Sequence, residues 1–256
     1  MTRRARVLAV IPARFGSTRF PGKVLADIGG KPMVQHVYER ASRSSSLDEL
    51  VVAVDDERVA DVVRSFGGEV EFTSPEHSSG TDRVAEVAER RAAEGDLVVN
   101  VQADEPFLDA AFVDEAVRPL LERPGVQFST VMHVIDDPAG YDDPGVVKVV
   151  RDSEGFGLYF SRAKIPYPRY ADGYKAFEHL GIYAYRREAL LRFVSWGPAP
   201  LELVEGLEML RILENGERIY VAESARPFYA LSVDTPEDLD RARRLYEETR
   251  GGGGPG

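Results

Sequence analysis

The chain has 256 residues, enough for one large α/β domain or two small ones, and at 43% hydrophobic residues it can bury a substantial core. A net charge of −11 argues against nucleic acid as a partner but leaves room for a small anion held by a few local cations. The absence of cysteine rules out disulfides, thiolate metal sites and cysteine nucleophiles. No apolar run approaches the ~20 residues that cross a bilayer, and the run from Val7 to Ala13 is too short for a signal-peptide core, so a soluble, cytoplasmic protein with no membrane partner is expected.

The first half alternates strands and helices. Arg6–Ala13 is a continuous apolar run, the pattern of a strand buried on both faces. Pro32–Ser42 has helical spacing through Met33, Val37 and Arg40, with Pro32 placed in the first turn. Leu50–Val54 reads as a second buried strand ending in Asp55-Asp56, Arg58–Phe66 as a helix stopped by Gly67-Gly68, and Glu69–Thr73 as a third strand. Thr81–Ala93 is helical and Leu97–Val101 returns to strand. This alternation predicts a largely parallel sheet with right-handed crossovers. The second half is richer in strands: Phe128–Ile135, Val146–Val150, Gly157–Phe160 and Leu180–Tyr185 are short and separated by turn signals. Leu201–Leu213 reads as one helix ended by Asn215-Gly216, and Ile219–Ala222 as a strand. Thr235-Pro236-Glu237-Asp238 is a helix start, with threonine as N-cap and acids in the first turn. The glycine-rich tail, 251–256, is expected to be disordered. One domain over 1–250 is predicted, with a β-rich lobe over about 126–225 and a return to the core over about 226–250.

The chemistry-bearing segments sit at strand ends. After the first strand comes Pro12-Ala13-Arg14-Phe15-Gly16-Ser17-Thr18-Arg19-Phe20-Pro21-Gly22-Lys23. Open α/β sheets place ligands at that end, small residues let backbone N–H groups approach phosphate, and Arg14, Arg19 and Lys23 supply charge for a polyphosphate. The spacing is neither that of a Walker A loop nor that of a Rossmann glycine fingerprint. Asp104 ends another apolar strand, and Asp234 stands between an apolar stretch and a helix start. Magnesium takes one or two protein carboxylates and completes its shell with phosphate and water, so both aspartates are candidate ligands. In His77-Ser78-Ser79-Gly80-Thr81-Asp82-Arg83, hydroxyls and helix N–H groups can bind a base edge or an anion, or Ser79 or Thr81 can simply cap the helix. Arg162 suits a carboxylate, whereas His179 taken alone reads as structural.

Together these segments resemble the CMP-Kdo synthetase family (3-deoxy-manno-octulosonate cytidylyltransferase). The likeness runs from Val7 to about Arg244 through IPARFGSTRFPGK, GGKPMVQHV, HSSGTDR, VNVQADEP, VVKVV, LYFSRAKIPYPR, HLGIYAY, PLELVEGLEMLRILENG and SVDTPEDL. The resemblance implies a Rossmann-like, mostly parallel mixed sheet flanked by helices, with a β-rich lobe for acceptor binding and homodimer contact. It implies that Arg14, Ser17 and Lys23 bind the phosphates of CTP and that Ser79, Gly80 and Gln102 lie around the cytidine or between the substrates. By the same likeness, Asp104 and Asp234 ligate Mg2+, and Arg162, His179, Tyr183 and Glu208 line the acceptor pocket. Two positions depart from the family: Ala103 replaces a glycine, and Met209 replaces a polar residue expected at the sugar-acid pocket. Sites that hydrogen-bond their substrate discriminate strongly, so the second departure leaves open a different small acid, such as a phosphonate or another 2-keto sugar acid.

The reaction these residues imply is in-line displacement at the α-phosphorus of CTP, with Arg14, Arg19 and Lys23 neutralising charge on the departing pyrophosphate. A nucleotide-sugar glycosyltransferase would carry a D-x-D motif, which Asp104-Glu105 does not provide. A non-catalytic nucleotide-binding relative would not need both aspartates and Lys23.

Overall fold

The computed structural model describes residues 4–16, 20–170, 174–226 and 231–251. In chain order it contains β1 (Val7–Ala13), a 3-10 turn (Lys23–Leu25), β2 (Asp27–Ile28), β3 (Lys31–Pro32), α1 (Met33–Ala41), β4 (Glu49–Val54), α2 (Glu57–Ser65), β5 (Val70–Phe72), α3 (Gly80–Arg91) and β6 (Leu97–Asn100). It continues through α4 (Ala110–Glu122), β7 (Phe128–Val134), α5 (Pro138–Asp142), β8 (Lys148–Arg151), β9 (Gly157–Ser161) and β10 (Phe177–Arg186). The last elements are α6 (Arg187–Ser195), α7 (Pro200–Glu205), α8 (Leu210–Glu214), β11 (Ile219–Ser224) and α9 (Pro236–Gly251).

Among the described residues, one compact unit gathers Arg6–Ala92, Asn100–Ala110 and the chain from Leu231 to Gly251. Its strands run parallel: β1 pairs with β4, Ile11 opposite Val52, and β4 pairs with β5, Ala53 opposite Glu71. Val7–Ile11 and Val51–Val54 are buried on both faces, which is why each reads as an unbroken apolar run. Two helices of this unit start with reciprocal caps. The Ser79 hydroxyl accepts the Asp82 N–H while the Asp82 carboxylate accepts the Ser79 N–H. Thr235 and Asp238 do the same at the start of α9. The body of α9 then lays Leu239, Ala242 and Tyr246 against Ile28, Met33 and Val233. Past β6 the chain stays beside β1, with the Val101 N–H on the Val10 carbonyl at 3.0 Å.

The other unit gathers, among the described residues, Arg4–Ala5, Ala93–Val99 and the chain from Ala111 to Arg226. There β7 pairs antiparallel with β10 and parallel with β11, and β8 lies antiparallel to β10 and to β9. A register shift between Leu180 and Tyr183 bulges β10. The rings of Tyr185 and Trp196 pack on Phe128, which is fully buried.

Several elements differ from the sequence reading. The single helix expected over Leu201–Leu213 is two, α7 and α8, because Gly206 turns left-handed at φ +64° and ends the first. Pro32 does not lie in the first turn of α1; it is extended at φ −63°, ψ 146° and serves as the N-cap. The strand expected from Val146 begins at Lys148, and β10 starts earlier than expected, at Phe177. Gly251 ends α9, and 252–256 lie outside the described residues. Helices α4 and α6 were not anticipated; α4 carries a buried Pro119 that breaks its sequence pattern.

Candidate active site

The candidate side chains of the parallel unit meet at the carboxyl ends of its strands. The loop after β1 is tied at both ends: the Phe15 N–H donates to Asp55 Oδ1 at 3.0 Å, and the Gly22 N–H donates to the Phe15 carbonyl at 2.9 Å. Gly22 has φ +72°, a conformation that glycine adopts without strain. The loop delivers Lys23 into the interior of the unit. There the ammonium donates to Asp104 Oδ2 at 2.7 Å and to Asp234 Oδ1 at 2.9 Å. The two aspartates lie 130 residues apart in sequence but on adjacent backbone, since the Val233 N–H donates to the Asp104 carbonyl at 2.9 Å. Burial alone would lower the lysine's pKa, but the charges and hydrogen bonds of Asp104 and Asp234 outweigh it and hold the ammonium above its ordinary value.

Around this trio opens a cleft of about 310 Å3. Of the residues singled out from sequence, Arg14, Lys23, Ser79, Gly80, Gln102, Asp104 and Asp234 all line it. Arg14 is exposed at its mouth, and the N-terminus of α3 opens into it. Ser79 does cap that helix, so its oxygen is engaged with the Asp82 N–H while its hydroxyl proton can still be donated. Gln102 Nε2 reaches Asn100 Oδ1 at 3.4 Å, and Asn100 in turn reaches Thr81 at 3.2 Å. Ala103 is buried in the same wall. Ser17 and Arg19 lie outside the described residues.

The remaining predicted residues belong to the β-rich unit. Arg162 is exposed and donates from Nε to the Glu205 carbonyl at 2.8 Å and from Nη1 to the Pro144 carbonyl at 3.0 Å, which occupies two of its five donors. Its backbone N–H and the Ser161 hydroxyl both bond the Glu205 carboxylate. His179 sits edge-on to Phe160 and beside Tyr183, with Nε2 at 2.9 Å from the Thr130 hydroxyl. The same hydroxyl lies within hydrogen-bond reach of the Leu180 and Ile182 carbonyls, at 3.2 and 2.8 Å. Desolvation drops the imidazole to about 3, leaving it neutral near pH 7. Tyr183 and Met209 are buried, and Glu208 lies 4.0 Å from Arg211, which is itself paired with Glu202.

The sequence reading missed the pairing of Arg83, which lines the cleft and donates from Nη2 to Asp55 Oδ2 at 2.7 Å. Asp55 registered only as a strand end, and its partner stands 28 residues away on α3. The signal available was a buried-strand terminus followed by two acids, of which Asp56 alone is accounted for as the N-cap of α2.

Two carboxylates each direct one oxygen to within 2.9 Å of a single cationic nitrogen. Among the described residues no cluster of three or more His, Asp or Glu forms a protein cage. A pair of carboxylates fits an ion that completes its shell with phosphate oxygens and water.

A cation-lined cleft at parallel strand ends, facing a pair of carboxylates, defines a nucleotide-handling α/β enzyme. The cytidylyltransferase family profile matches residues 8–219. A 3-deoxy-manno-octulosonate cytidylyltransferase from Geobacter sulfurreducens is 51% identical over 246 residues, 92% of this chain and 97% of its own length. Another of that name, from Trichlorobacter lovleyi, is 47% identical and covers 95% of this chain and 99% of its own. Among solved structures, a CMP:2-keto-3-deoxy-manno-octonic acid synthetase complexed with CTP superposes with a TM-score of 0.88 at 41% identity, covering 95% of this chain and 99% of that one. A Leptospira borgpetersenii cytidylyltransferase, at 17% identity and a TM-score of 0.65, shares the fold. The chain belongs to the cytidylyltransferase family and, within it, to the 3-deoxy-manno-octulosonate cytidylyltransferases, with their mixed α/β fold of a mostly parallel central sheet flanked by helices.

Proposed function

We propose that the chain transfers CMP from CTP to 3-deoxy-manno-octulosonate (Kdo), giving CMP-Kdo and pyrophosphate. The observation that carries this reading is Lys23 held between Asp104 and Asp234 in a cleft that also presents Arg14 and the N-terminus of α3, in a chain 51% identical to a curated enzyme of that name. The acceptor's anomeric hydroxyl gives up its proton to solvent, its oxygen bonds to the α-phosphorus as the bond to the bridging oxygen breaks, and pyrophosphate leaves with that electron pair. Arg14 and Lys23 neutralise charge on the leaving group; the phosphates offer Lys23 acceptors to exchange for its two aspartates. Asp104 and Asp234 are the residues we assign to Mg2+. When bound, the ion supplies charge neutralisation on the triphosphate and lowers the pKa of a coordinated hydroxyl. Ser79, Gly80 and Gln102 are assigned to the nucleoside, and Arg162, His179, Tyr183, Glu208 and Met209 to the acceptor.

The cell compartment that makes CTP is the cytoplasm, and we place the enzyme there; no helix among the described residues is long and apolar enough to cross a membrane. A homodimer is supported by exposed apolar side chains on the β-rich unit: Leu158 at 61%, Leu203 at 69% and Val204 at 83% exposure. Pyrophosphate release with CTP, magnesium and a panel of acids tests the function. Kdo should be turned over far better than other 2-keto sugar acids or small phosphonates; a phosphonate outpacing Kdo would overturn the acceptor assignment.

A further inference from the structure

Three contacts converge on one residue of the loop that carries Arg14 and Lys23. The Phe15 N–H is held by Asp55 and its carbonyl by the Gly22 N–H. Its ring lies under the Arg58 guanidinium, with Cζ 3.5 Å from the ring centre, and a side chain at Gly22 would come within 3.2 Å of the same ring. Arg58 is fixed in turn by two hydrogen bonds to Asp56, at 2.8 and 2.6 Å. Behind Asp55 stands Arg83, at 2% exposure. It gives Nη2 to Asp55 Oδ2 at 2.7 Å and Nη1 to the Thr73 hydroxyl at 2.9 Å and the Ser74 carbonyl at 3.0 Å. One guanidinium therefore joins the end of β4, the chain after β5, and α3, and through Asp55 it reaches the backbone next to Arg14.

A buried ion pair is a poor device for stability, because removing both ions from water offsets most of their attraction. What this pair does have is geometry. One carboxylate oxygen is spent on the guanidinium and the other on a loop amide, so the position of that amide follows from a rigid, fully engaged side chain. The loop must place Arg14 against a polyphosphate. A loop already fixed at Phe15 loses less entropy when CTP arrives than one that must be ordered by it.

The geometry points to Asp55 and Phe15, with Arg83 as their anchor, as positioning residues that preorganise the triphosphate loop, acting through the Phe15 amide and ring rather than by touching the reacting atoms. This inference rests on the reading of the cleft as a CTP site and assigns that site its supporting frame. It predicts a selective defect: the apparent affinity for CTP falls while the acceptor's KM, measured at saturating CTP, stays near wild type.

Two variants test it independently. Asp55→Asn keeps a carbonyl that can accept the Phe15 N–H but removes the charge that fixes Arg83. Phe15→Leu leaves the ion pair intact and removes the ring held by Arg58 and Gly22. Calorimetric titration of each with CTP and magnesium, without acceptor, should show a Kd raised about 10-fold or more. Hydrogen exchange should quicken at the amides of residues 14–16 while α3 keeps its protection. If Asp55→Asn fails to fold, Phe15→Leu carries the test alone. Wild-type CTP affinity in a folded Phe15→Leu or Asp55→Asn enzyme overturns the inference, as does a parallel rise in the acceptor's KM. Failure of the wild-type enzyme to bind CTP would instead remove the functional reading beneath it.

Discussion

Replacing Lys23 by methionine has two consequences of opposite direction, and together they test how the cleft is wired. In the ligand-free protein the ammonium occupies the point on which Asp104 and Asp234 converge, at 2.7 and 2.9 Å. Their side chains are 24% and 37% exposed, so solvent screens the attraction, and each contact is worth about 1 kcal/mol rather than the several kcal/mol of a dry pair. A divalent cation that binds there without nucleotide must displace that lysine and forgo about 2 kcal/mol. Removing the lysine should therefore tighten manganese binding to the nucleotide-free enzyme roughly 30-fold. The same substitution removes a phosphate-neutralising charge, so turnover should fall by about two orders of magnitude or more. Manganese binding is read by electron paramagnetic resonance, with Lys31→Met as the control for a simple change in net charge, since Lys31 pairs with Glu39 outside the cleft. Unchanged manganese affinity in Lys23→Met, or an equal rise in both variants, would show that the aspartates do not share a cation position with the lysine.

Asp104→Asn should abolish turnover while CTP still binds, measured by pyrophosphate release and calorimetry; near-normal turnover removes Asp104 from the mechanism. Gly29→Ala should destabilise by about 2 kcal/mol or more, because Gly29 has φ +60° and a Cβ there would lie 1.9 Å from the Tyr246 ring. Chemical denaturation measures this, and an unchanged midpoint would refute the packing of α9 on β2. Glu178 is pushed up to about 7 by burial and by the charge of Asp136, so the folded state holds a proton that the unfolded chain releases near 4.5. Its contribution is therefore neutral below about pH 4.5 and becomes a penalty as pH rises towards 7 and above. Glu178→Gln should stabilise the protein at pH 8 by about 3 kcal/mol and leave it little changed at pH 4, as read from denaturation midpoints at the two pH values. Equal effects at both would refute the raised carboxyl.

The parallel strands and the residues at their ends were legible because burial on both faces writes a simple signal. Val7–Ile11 and Val51–Val54 have no polar side, and the loop after β1 concentrates three cations in an acidic chain. The start of α9 was equally plain, since Thr235, Pro236 and Asp238 act locally. Helix breaks were harder. The apolar spacing continues across Gly206, so only its left-handed backbone shows that α7 and α8 are separate. What pattern could not supply was partnership at a distance. Lys23 meets Asp234 across 211 residues and Arg83 meets Asp55 across 28, and neither pairing is encoded near either residue. Sequence located the candidate ligands; the crossovers of the sheet brought them together.

A crystal structure with CTP and magnesium tests the central claim most directly. The triphosphate should lie in the cleft with Arg14 and Lys23 on its oxygens and metal density within coordinating distance of both Asp104 and Asp234. Nucleotide bound elsewhere, or the two carboxylates turned apart with no ion beside either, would contradict it.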